Sequence, residues 1–281
     1  MKTGYRRHEE FVKILKTLIF MAIGVTFLLP LLWMISSSLK TPAEVFQQDF
    51  HWLPEVPRWH SYKEVWLDSE VTMARGYLNS IYITFFSIVF KLFFASLAAY
   101  AFAKIDFKGR DVIFMIFLST MMIPTEVTLI PRFMLFKELG LYNSRWAIIL
   151  PNWFAPGAVF MLRQFYMGLP NDLMEAAKID GAGHSRIFAQ ILLPLTKAAL
   201  VSQCVMSFVS CWNEYMAPLV FLVKKNLYTV AQVVQWTMMD EAARTDLTMA
   251  ASTCAIIPVV IIFMFCQRYF VEGIATSGVK G

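Results

Sequence analysis

Residues 18–38 contain no charged side chain, so they are apolar enough to cross a bilayer as a helix. About 20 mostly apolar residues are needed for such a crossing. Five further segments have a comparable length and character. The six predicted spans are residues 18–38, 77–103, 112–131, 146–166, 196–222 and 247–271. Because a backbone in lipid must satisfy its own hydrogen bonds, these segments predict an all-α membrane protein.

The composition of the chain agrees with lipid as its main solvent. Hydrophobic residues make up 58% of the sequence and charged residues 16%, whereas a soluble globular domain carries about 25% charged residues. The net charge of +5 fits basic loops that face a cytoplasm and an anionic leaflet, and no nucleic-acid partner is expected. The cysteines lie in apolar runs without a CxxC pair, and the histidines are scattered through loops. The sequence therefore indicates neither a catalytic cluster nor a metal site.

Prolines and basic residues indicate how the spans are shaped and oriented. Pro124, Pro151 and Pro218 lie in the third, fourth and fifth spans, and Pro30 and Pro258 interrupt the first and last. Each proline frees a carbonyl that a neighbouring helix or water must satisfy, which predicts kinked helices packed in a bundle. Positive residues favour the cytoplasmic side, and the N-terminal segment often dominates. That segment carries Lys2, Arg6, Arg7, Lys13 and Lys16.

We therefore expect a cytoplasmic N-terminus, and six spans return the C-terminus to the same side. In this topology the longest outer loop is residues 39–76. The segment between the fourth and fifth spans, about residues 168–194, then faces the cytoplasm.

This cytoplasmic segment has the pattern of two short helices. Asp172 lies three residues before Glu175, which is the spacing of a capping box, and the alanines after Glu175 add little bulk. Gly181 and Gly183 permit a sharp bend before a second helix begins. One interpretation is a cleft-inserting element that binds a soluble partner. The alternative is an amphipathic linker that lies on the membrane surface.

The spacing within this segment resembles the coupling motif of binding-protein-dependent ABC importers, in which the membrane subunit docks onto an ATPase. The residues that carry the resemblance are Glu175, Ala176, Ala177, Asp180, Gly181, Ile191 and Pro194. The Glu-Ala-Ala tripeptide of residues 175–177 is uninformative by itself. Residues 241–243 repeat it, but with Leu247 at the position that corresponds to Gly181. One departure is Gly183, where serine is frequent in the family.

Nearly the whole chain is similar to the permease subunit of a sugar-type ABC importer, and it most resembles the smaller maltose-type subunit. Supporting stretches are Asn79-Ser80, residues 98–103, Phe107-Lys108-Gly109-Arg110, residues 122–124, residues 162–165, Leu169-Pro170 and residues 212–215. The resemblance implies a type I ABC importer-like bundle with cytoplasmic coupling helices. It also implies one permease domain spanning residues 1–281, in a bacterial or archaeal cytoplasmic membrane.

The resemblance further implies the partners of the chain. These are a second homologous permease in a heterodimer, two ATPase subunits, an extracytoplasmic solute-binding protein and a sugar substrate. The sequence lacks a GxxxxGK[ST] phosphate loop, so ATP and Mg are expected on the ATPase subunits and no cofactor on this non-catalytic chain. The short tail that would reach toward the ATPase interface comprises Gly278, Val279, Lys280 and Gly281.

Ionisable residues within membrane spans are costly and suggest function, and Lys91, Glu126 and Glu214 are of this kind. The possible pathway residues are Trp212, Asn213, Glu214 and Tyr215. Aromatic faces beside amide and carboxylate groups suit a sugar. Alternatively, Asn213 and Glu214 form hydrogen bonds between helices.

Other transport classes make different demands on the sequence. A sugar-phosphate importer, for a substrate such as glycerol 3-phosphate, would favour a cluster of Arg or Lys. A stand-alone secondary carrier would favour paired intramembrane charges or inverted repeats. Neither is evident in the sequence.

Overall fold

The computed structural model describes the backbone of residues 2–278 except 48, 50 and 240–243. It describes the side chains of residues 10–267 apart from those positions and 68. Helices dominate throughout, and this part of the chain contains no β-strand. The α-helices of at least six residues are Lys2–Ser37, Met73–Lys104, Arg110–Ser119, Thr125–Glu138, Pro156–Met167, Asp172–Ile179, Lys197–Trp212, Met216–Phe221, Val230–Met238 and Thr245–Gly278.

Shorter turns of helix connect these elements. The four-residue α-helices are Pro42–Val45, His60–Lys63, Trp146–Ile149 and His184–Ile187, and Leu193–Leu195 forms a three-residue turn. The π-helical turns are Glu64–Asp68 and Phe188–Leu192, and the 3-10 turns are Thr120–Met122, Leu150–Trp153 and Lys225–Leu227. The chain divides into two compact units, one formed by Met1–Glu70 with Val234–Cys254 and the other by Val71–Val233 with Ala255–Gly281.

Within the first unit, a buried ionic network fastens the segment that follows the first helix. The Asp246 side chain has no solvent exposure and accepts hydrogen bonds from Ser61 Oγ (2.9 Å) and Arg244 Nε (3.0 Å). The Arg244 guanidinium also donates to Glu64 Oε2 at 3.0 Å. These carboxylates raise the pKa of Arg244. The network joins residues 61–64 to the start of the Thr245–Gly278 helix.

The short Pro42–Val45 helix in the same unit begins with a capping box. Thr41 Oγ1 accepts from the backbone N–H of Glu44, and Glu44 Oε2 accepts from the backbone N–H of Thr41 at 2.6 Å. The backbone hydrogen bond from Thr41 lowers the pKa of the Glu44 carboxyl. Both side chains therefore satisfy amides that the first turn of a helix leaves unpaired.

Within the second unit, the Met73–Lys104 helix holds a distant loop through polar groups near its first turns. Asn79 Nδ2 donates to the carbonyls of Asn226 (3.0 Å) and Tyr228 (2.9 Å). Its Oδ1 accepts from Arg145 Nη2 at 2.7 Å. Ser80 Oγ accepts from the backbone N–H of residue 230 at 2.9 Å. The Asn79-Ser80 pair therefore has a structural role, because it anchors residues 226–230.

Three helices are long and apolar enough to cross a membrane: Glu10–Ser37, Met73–Lys104 and Thr245–Gln267. Two bent pairs bring the number to five if each is one span, among the residues that the structure describes. These pairs are Arg110–Met122 with Thr125–Glu138, bent by 95°, and His184–Leu195 with Lys197–Trp212, bent by 77°. The fourth predicted span, residues 146–166, is divided among three shorter helices.

The prolines have different effects on these helices. The predicted kink at Pro124 is confirmed, since the 95° bend lies there. The helices containing Pro30 and Pro258 continue through them, so the predicted interruption of the first and last spans is wrong. A proline removes one helical hydrogen bond, and a membrane helix tolerates this where other groups satisfy the freed carbonyl.

Candidate functional site

The first short helix of residues 168–194, Asp172–Ile179, begins without the predicted capping box. Its N-cap is Asn171, which makes no side-chain capping bond, and Asp172 already lies inside the helix. The Asn171 Oδ1 instead accepts a hydrogen bond from Lys104 Nζ at 2.7 Å. Acidic Asp172 and Glu175 in the first turn still favour this helix through its dipole.

This helix ends at Ile179, and Gly181 lies two residues beyond it, where the sequence predicts a bend. Gly181 has φ +79°, its N–H donates to the Lys178 carbonyl at 3.0 Å, and the Ala182 N–H donates to the Ala177 carbonyl at 2.9 Å. The two bonds form a Schellman motif, which requires a left-handed residue at this position. A Cβ added to Gly181 would meet no atom within 4 Å. The backbone conformation is therefore what favours glycine here.

A substitution at Gly181 tests this conclusion. Gly181→Ala should cost about 1 kcal/mol at the helix end, because a Cβ disfavours the left-handed conformation. Amide hydrogen exchange in residues 172–183 should then accelerate about fivefold. Gly181→Asn is the matched control, since asparagine tolerates this conformation, and its exchange should stay closer to wild type. Equal exchange in the alanine variant and the wild type would contradict the assignment.

The first short helix presents two different faces. Glu175 and Ala176 are exposed, and Ile179 is 86% exposed although it is strongly apolar. On the other side, Met174 and Ala177 are buried in a hydrophobic cluster that includes Ala99 and Leu162. The two alanines of the motif therefore differ: Ala177 packs against the protein's own core, and Ala176 faces outward. We call Glu175, Ala176 and Ile179 the outward face.

The second short helix, His184–Ile187, leads into the turns that end at Leu195. Ile187, Phe188 and Leu192 are buried in the same hydrophobic cluster, and Ile191 packs partly against it. Pro194 is exposed. It precedes the 77° bend that begins the Lys197–Trp212 helix. The apolar residues after Gly183 thus fix this segment to the core.

Three polar side chains attach residues 168–194 and the Pro156–Met167 helix before them to the end of the Met73–Lys104 helix. Lys104 contacts the start of the first short helix. Tyr100 OH lies 3.0 Å from His184 Nδ1, and Arg163 Nε donates to the Phe102 carbonyl at 3.1 Å. These contacts do not follow from the sequence pattern, in which His184 is one of several histidines scattered through loops. The four-residue spacing of Tyr100 and Lys104 does indicate that these two side chains lie on the same face of the helix.

Trp212 holds helices together within the second unit. It is 2% exposed, and its Nε1 donates to the Ala255 carbonyl at 2.9 Å. Its ring lies 5.4 Å from that of Tyr77 and 5.5 Å from that of Phe208. Asn213 is exposed and donates to the Val209 carbonyl of its own helix. Trp212 therefore makes a hydrogen bond between helices, whereas the Asn213 amide bonds within its own helix and not to a neighbouring one as the alternative predicted.

Glu214 belongs to a polar group within the predicted spans. Its Oε1 accepts from the Ala217 N–H at 3.0 Å, next to the half-buried Tyr215. Electrostatic interactions link Glu214 to Arg132, and both Glu214 and Lys91 act on Cys211. Lys91 and Glu214 are therefore both within electrostatic range of the Cys211 side chain. Arg132 is not among the predicted intramembrane charges, because it lies one residue beyond the predicted third span.

Glu126 lies apart from this polar group. It is exposed in the first turn of the Thr125–Glu138 helix, where it accepts a hydrogen bond from Thr125 Oγ1 at 3.2 Å. A carboxylate at this position is favoured by the helix dipole. Its local role is to stabilise the helix that begins after Pro124.

Some predicted elements lie outside the described residues. Of the predicted tail, Gly278 is the last residue of the Thr245–Gly278 helix. Val279, Lys280 and Gly281 lie outside the described residues, as does the repeated tripeptide at 241–243. Among the described residues, no group of three or more His, Cys, Asp or Glu could hold a metal ion.

Comparison with known families identifies the chain. Residues 91–276 match the family described as the binding-protein-dependent transport system inner membrane component. The chain belongs to this family. The permease is 34% identical to the arabinooligosaccharides transport system permease protein of Bacillus subtilis strain 168, and the alignment covers 96% of both chains. It is 31% identical to an sn-glycerol-3-phosphate transport system permease protein of Yersinia pestis, over 92% of this chain and 95% of the relative.

A solved structure shows the same fold. The permease matches the crystal structure of a bacterial ABC transporter involved in the import of the acidic polysaccharide alginate, with a TM-score of 0.81 and 26% identity. The match covers 94% of the permease and 98% of that chain. The permease therefore has the helical fold of a type I ABC importer and is a non-catalytic inner membrane subunit. Its family works with a separate ATPase, a binding protein and a second permease.

Proposed function

We propose that this permease forms half of the translocation pathway of an ATP-driven oligosaccharide importer. In this proposal, residues 168–194 transmit closure of the ATPase pair to the membrane helices, which alternate between inward-open and outward-open states. The observation that carries the proposal is the outward face of the first short helix. Ile179 is 86% exposed there, while the opposite face is buried against the protein's own core. Such a helix suits insertion into a partner's cleft.

The proposal includes six spans with both termini in the cytoplasm. The three long helices and the bent pair Arg110–Met122 with Thr125–Glu138 account for four of the spans. Residues 196–222, which include the Lys197–Trp212 helix, would supply the fifth, and residues 146–166 the sixth. Its short helices are acceptable within a bundle, because non-helical backbone at membrane depth is tolerated where protein covers it. This topology puts the N-terminal basic cluster and residues 168–194 on the same side, as the positive-inside rule favours.

We also infer the partners that this permease requires. It would pair with a different, homologous permease, and the two would bind two ATPase subunits that hold ATP and Mg. The segment Gly278, Val279, Lys280 and Gly281 would extend toward the ATPase pair. An extracytoplasmic solute-binding protein would deliver the substrate. Residues 168–194 would take part in the ATPase contact through Glu175, Ala176, Asp180 and Gly181, supported by the buried Ala177, the half-buried Ile191 and Pro194 at the bend.

A neutral oligosaccharide is the substrate class that we favour. The arabinooligosaccharide relative supports it, with 34% identity over nearly the full length. The polar group in the spans has mixed charge, since Arg132 interacts with Glu214 and lies over the Phe221 ring at 5.2 Å. A phosphate would favour cations without a competing carboxylate. Glu214 and Lys91 are the residues that we expect along the pathway, with Trp212 supporting them.

A sugar phosphate is the second candidate substrate. The sn-glycerol-3-phosphate relative has 31% identity. The second unit also carries two cations, Arg132, which interacts with Glu214, and Lys91, which interacts with Cys211. A stand-alone carrier lacks comparable support, because the matching family belongs to binding-protein-dependent transport systems and the matching structure is that of an ABC transporter.

Affinity purification from the native membrane, followed by transport assays, tests this function. We expect a second permease and an ATPase to be recovered with this chain. After reconstitution with the binding protein, ATP-dependent uptake should be measured for arabinotriose, an alginate trisaccharide and sn-glycerol 3-phosphate. Uptake of arabinotriose supports the neutral class, whereas uptake of sn-glycerol 3-phosphate alone supports the second candidate. Recovery of the chain alone, with solute flux that needs no ATP, would contradict the importer.

A further inference from the structure

The last two turns of the Met73–Lys104 helix contact both short helices of residues 168–194. Lys104 Nζ donates to the Leu169 carbonyl at 2.8 Å and to Asn171 Oδ1 at 2.7 Å. One turn earlier, Tyr100 OH forms a 3.0 Å hydrogen bond with His184 Nδ1. Residues four positions apart lie on the same face of a helix. One face of this helix end therefore holds the start of each short helix.

The Lys104 contact is directional and strong for a single side chain. An ammonium group has three donors, and two of them bind acceptors on either side of Pro170. Hydrogen bonds from a charged donor are shorter and stronger than neutral ones. The two bonds therefore fix the position of the first short helix along the Met73–Lys104 helix, where the apolar contacts of Met174 and Ala177 alone would allow sliding.

Arg163 attaches a third element to the same helix end. Its Nε donates to the Phe102 carbonyl at 3.1 Å, and its guanidinium lies 4.2 Å from the centre of the Phe114 ring. Arg163 belongs to the Pro156–Met167 helix, which leads directly into the first short helix. The segment is thus held on its N-terminal side by Arg163 and Lys104, and at its second helix by Tyr100.

We propose that Lys104 is a positioning residue that transmits displacement of the two short helices into the Met73–Lys104 helix. This inference rests on the proposed coupling function. The helix receives the displacement at its cytoplasmic end, and at its other end Asn79 and Ser80 hold residues 226–230. Movement of residues 168–194 would therefore reach a loop on the opposite side of the membrane through one helix. Loss of the Lys104 bonds would allow the first short helix to move without the Met73–Lys104 helix.

The test uses the importer complex reconstituted in liposomes with its binding protein. ATP hydrolysis and uptake are measured together, using whichever of arabinotriose, the alginate trisaccharide and sn-glycerol 3-phosphate the wild-type complex imports. In Lys104→Met, we expect the number of molecules imported per ATP hydrolysed to fall at least tenfold. The amount of ATPase subunit that copurifies with the permease, which we call ATPase recovery, should be unchanged. Lys104→Arg keeps a charged donor and should stay within about threefold of wild type. Lys108→Met removes an exposed lysine nearby and is the matched control.

Several results would overturn the inference. One is a ratio of uptake to hydrolysis in Lys104→Met within twofold of wild type. Another is an equal fall in Lys108→Met, which would show that only the local charge matters. A purely structural defect would lower uptake and hydrolysis together and leave their ratio unchanged. If Lys104→Met does not assemble, Asn171→Ala removes one acceptor alone, and an unchanged ratio in that variant overturns the inference.

Two further variants separate this inference from the proposed function. Asn171→Ala combined with Lys104→Met should lower the ratio no further than Lys104→Met alone, because Lys104→Met already removes the contact that Asn171→Ala removes. Glu175→Lys tests the docking itself in the same assay. If Glu175→Lys uncouples transport and Lys104→Met does not, the role of Lys104 is wrong and docking stands. If Glu175→Lys changes neither ATPase recovery nor the ratio, the proposed coupling function fails.

Discussion

Glu175→Lys should lower ATP-dependent uptake at least about 100-fold and leave the permease folded in the membrane. Glu175 is exposed on the outward face of the first short helix. Reversing an exposed charge changes the free energy of unfolding by about 0.5 kcal/mol or less. A partner that surrounds this face would instead meet a like charge or an unpaired buried charge, which costs several kcal/mol. Uptake and ATPase recovery in reconstituted complexes measure the effect.

Glu138→Lys is the matched control for this substitution. Glu138 is also exposed, and it ends the Thr125–Glu138 helix in a loop that the proposed topology puts outside. Lysine is compatible with a helix C-terminus. We expect Glu138→Lys to keep more than half of the wild-type uptake. Equal uptake in the Glu175→Lys and Glu138→Lys variants would show that Glu175 does not contact the ATPase.

Asp246→Ala should destabilise the first unit by about 3 kcal/mol, because it leaves part of the Arg244 guanidinium unpaired in a partly buried site. The Asp246 side chain is fully buried. Its loss also removes the acceptor for Ser61 Oγ. We expect a lower midpoint of thermal unfolding for the purified permease in detergent. We also expect faster proteolysis of residues 51–70.

Asp106→Ala provides the comparison between a buried and an exposed ion pair. Asp106 lies 2.7 Å from Arg110, but its side chain is 98% exposed. Exposed pairs contribute about 0–1 kcal/mol, so this variant should unfold near the wild-type midpoint. If Asp246→Ala unfolds no earlier than Asp106→Ala, the buried network does not stabilise the first unit.

The membrane spans could be predicted from sequence where the apolar run is long and uninterrupted. Residues 18–38 and 77–103 each lie within one helix of the structure, apart from the last residue of the first segment, and residues 247–271 lie within the last helix. Proline effects could not be predicted position by position. Pro124 breaks a helix and Pro258 does not, because the outcome depends on which neighbouring groups satisfy the freed carbonyl.

The candidate site was predictable where local backbone chemistry determines it. Gly181 ends its helix because few residues adopt its left-handed conformation, and this can be inferred from the sequence alone. The capping box at Asp172 was wrong because the N-cap is Asn171, one residue earlier, and the Asn171 side chain binds Lys104, 67 residues away in the chain. The inward direction of Ala177 and the bond between Tyr100 and His184 depend equally on tertiary contacts. Spacing within one segment does not reveal such contacts.

Cysteine crosslinking tests most directly whether the outward face binds the ATPase. Ala176→Cys and Ala177→Cys are introduced separately into a chain whose native cysteines are replaced by alanine. A short thiol-reactive photo-crosslinker is then attached in native membranes. Ala176 is exposed and Ala177 is 7% exposed. We predict a covalent adduct between this chain and the ATPase subunit at position 176, and none at position 177. No adduct at position 176 in an assembled complex that still hydrolyses ATP would contradict docking through this face.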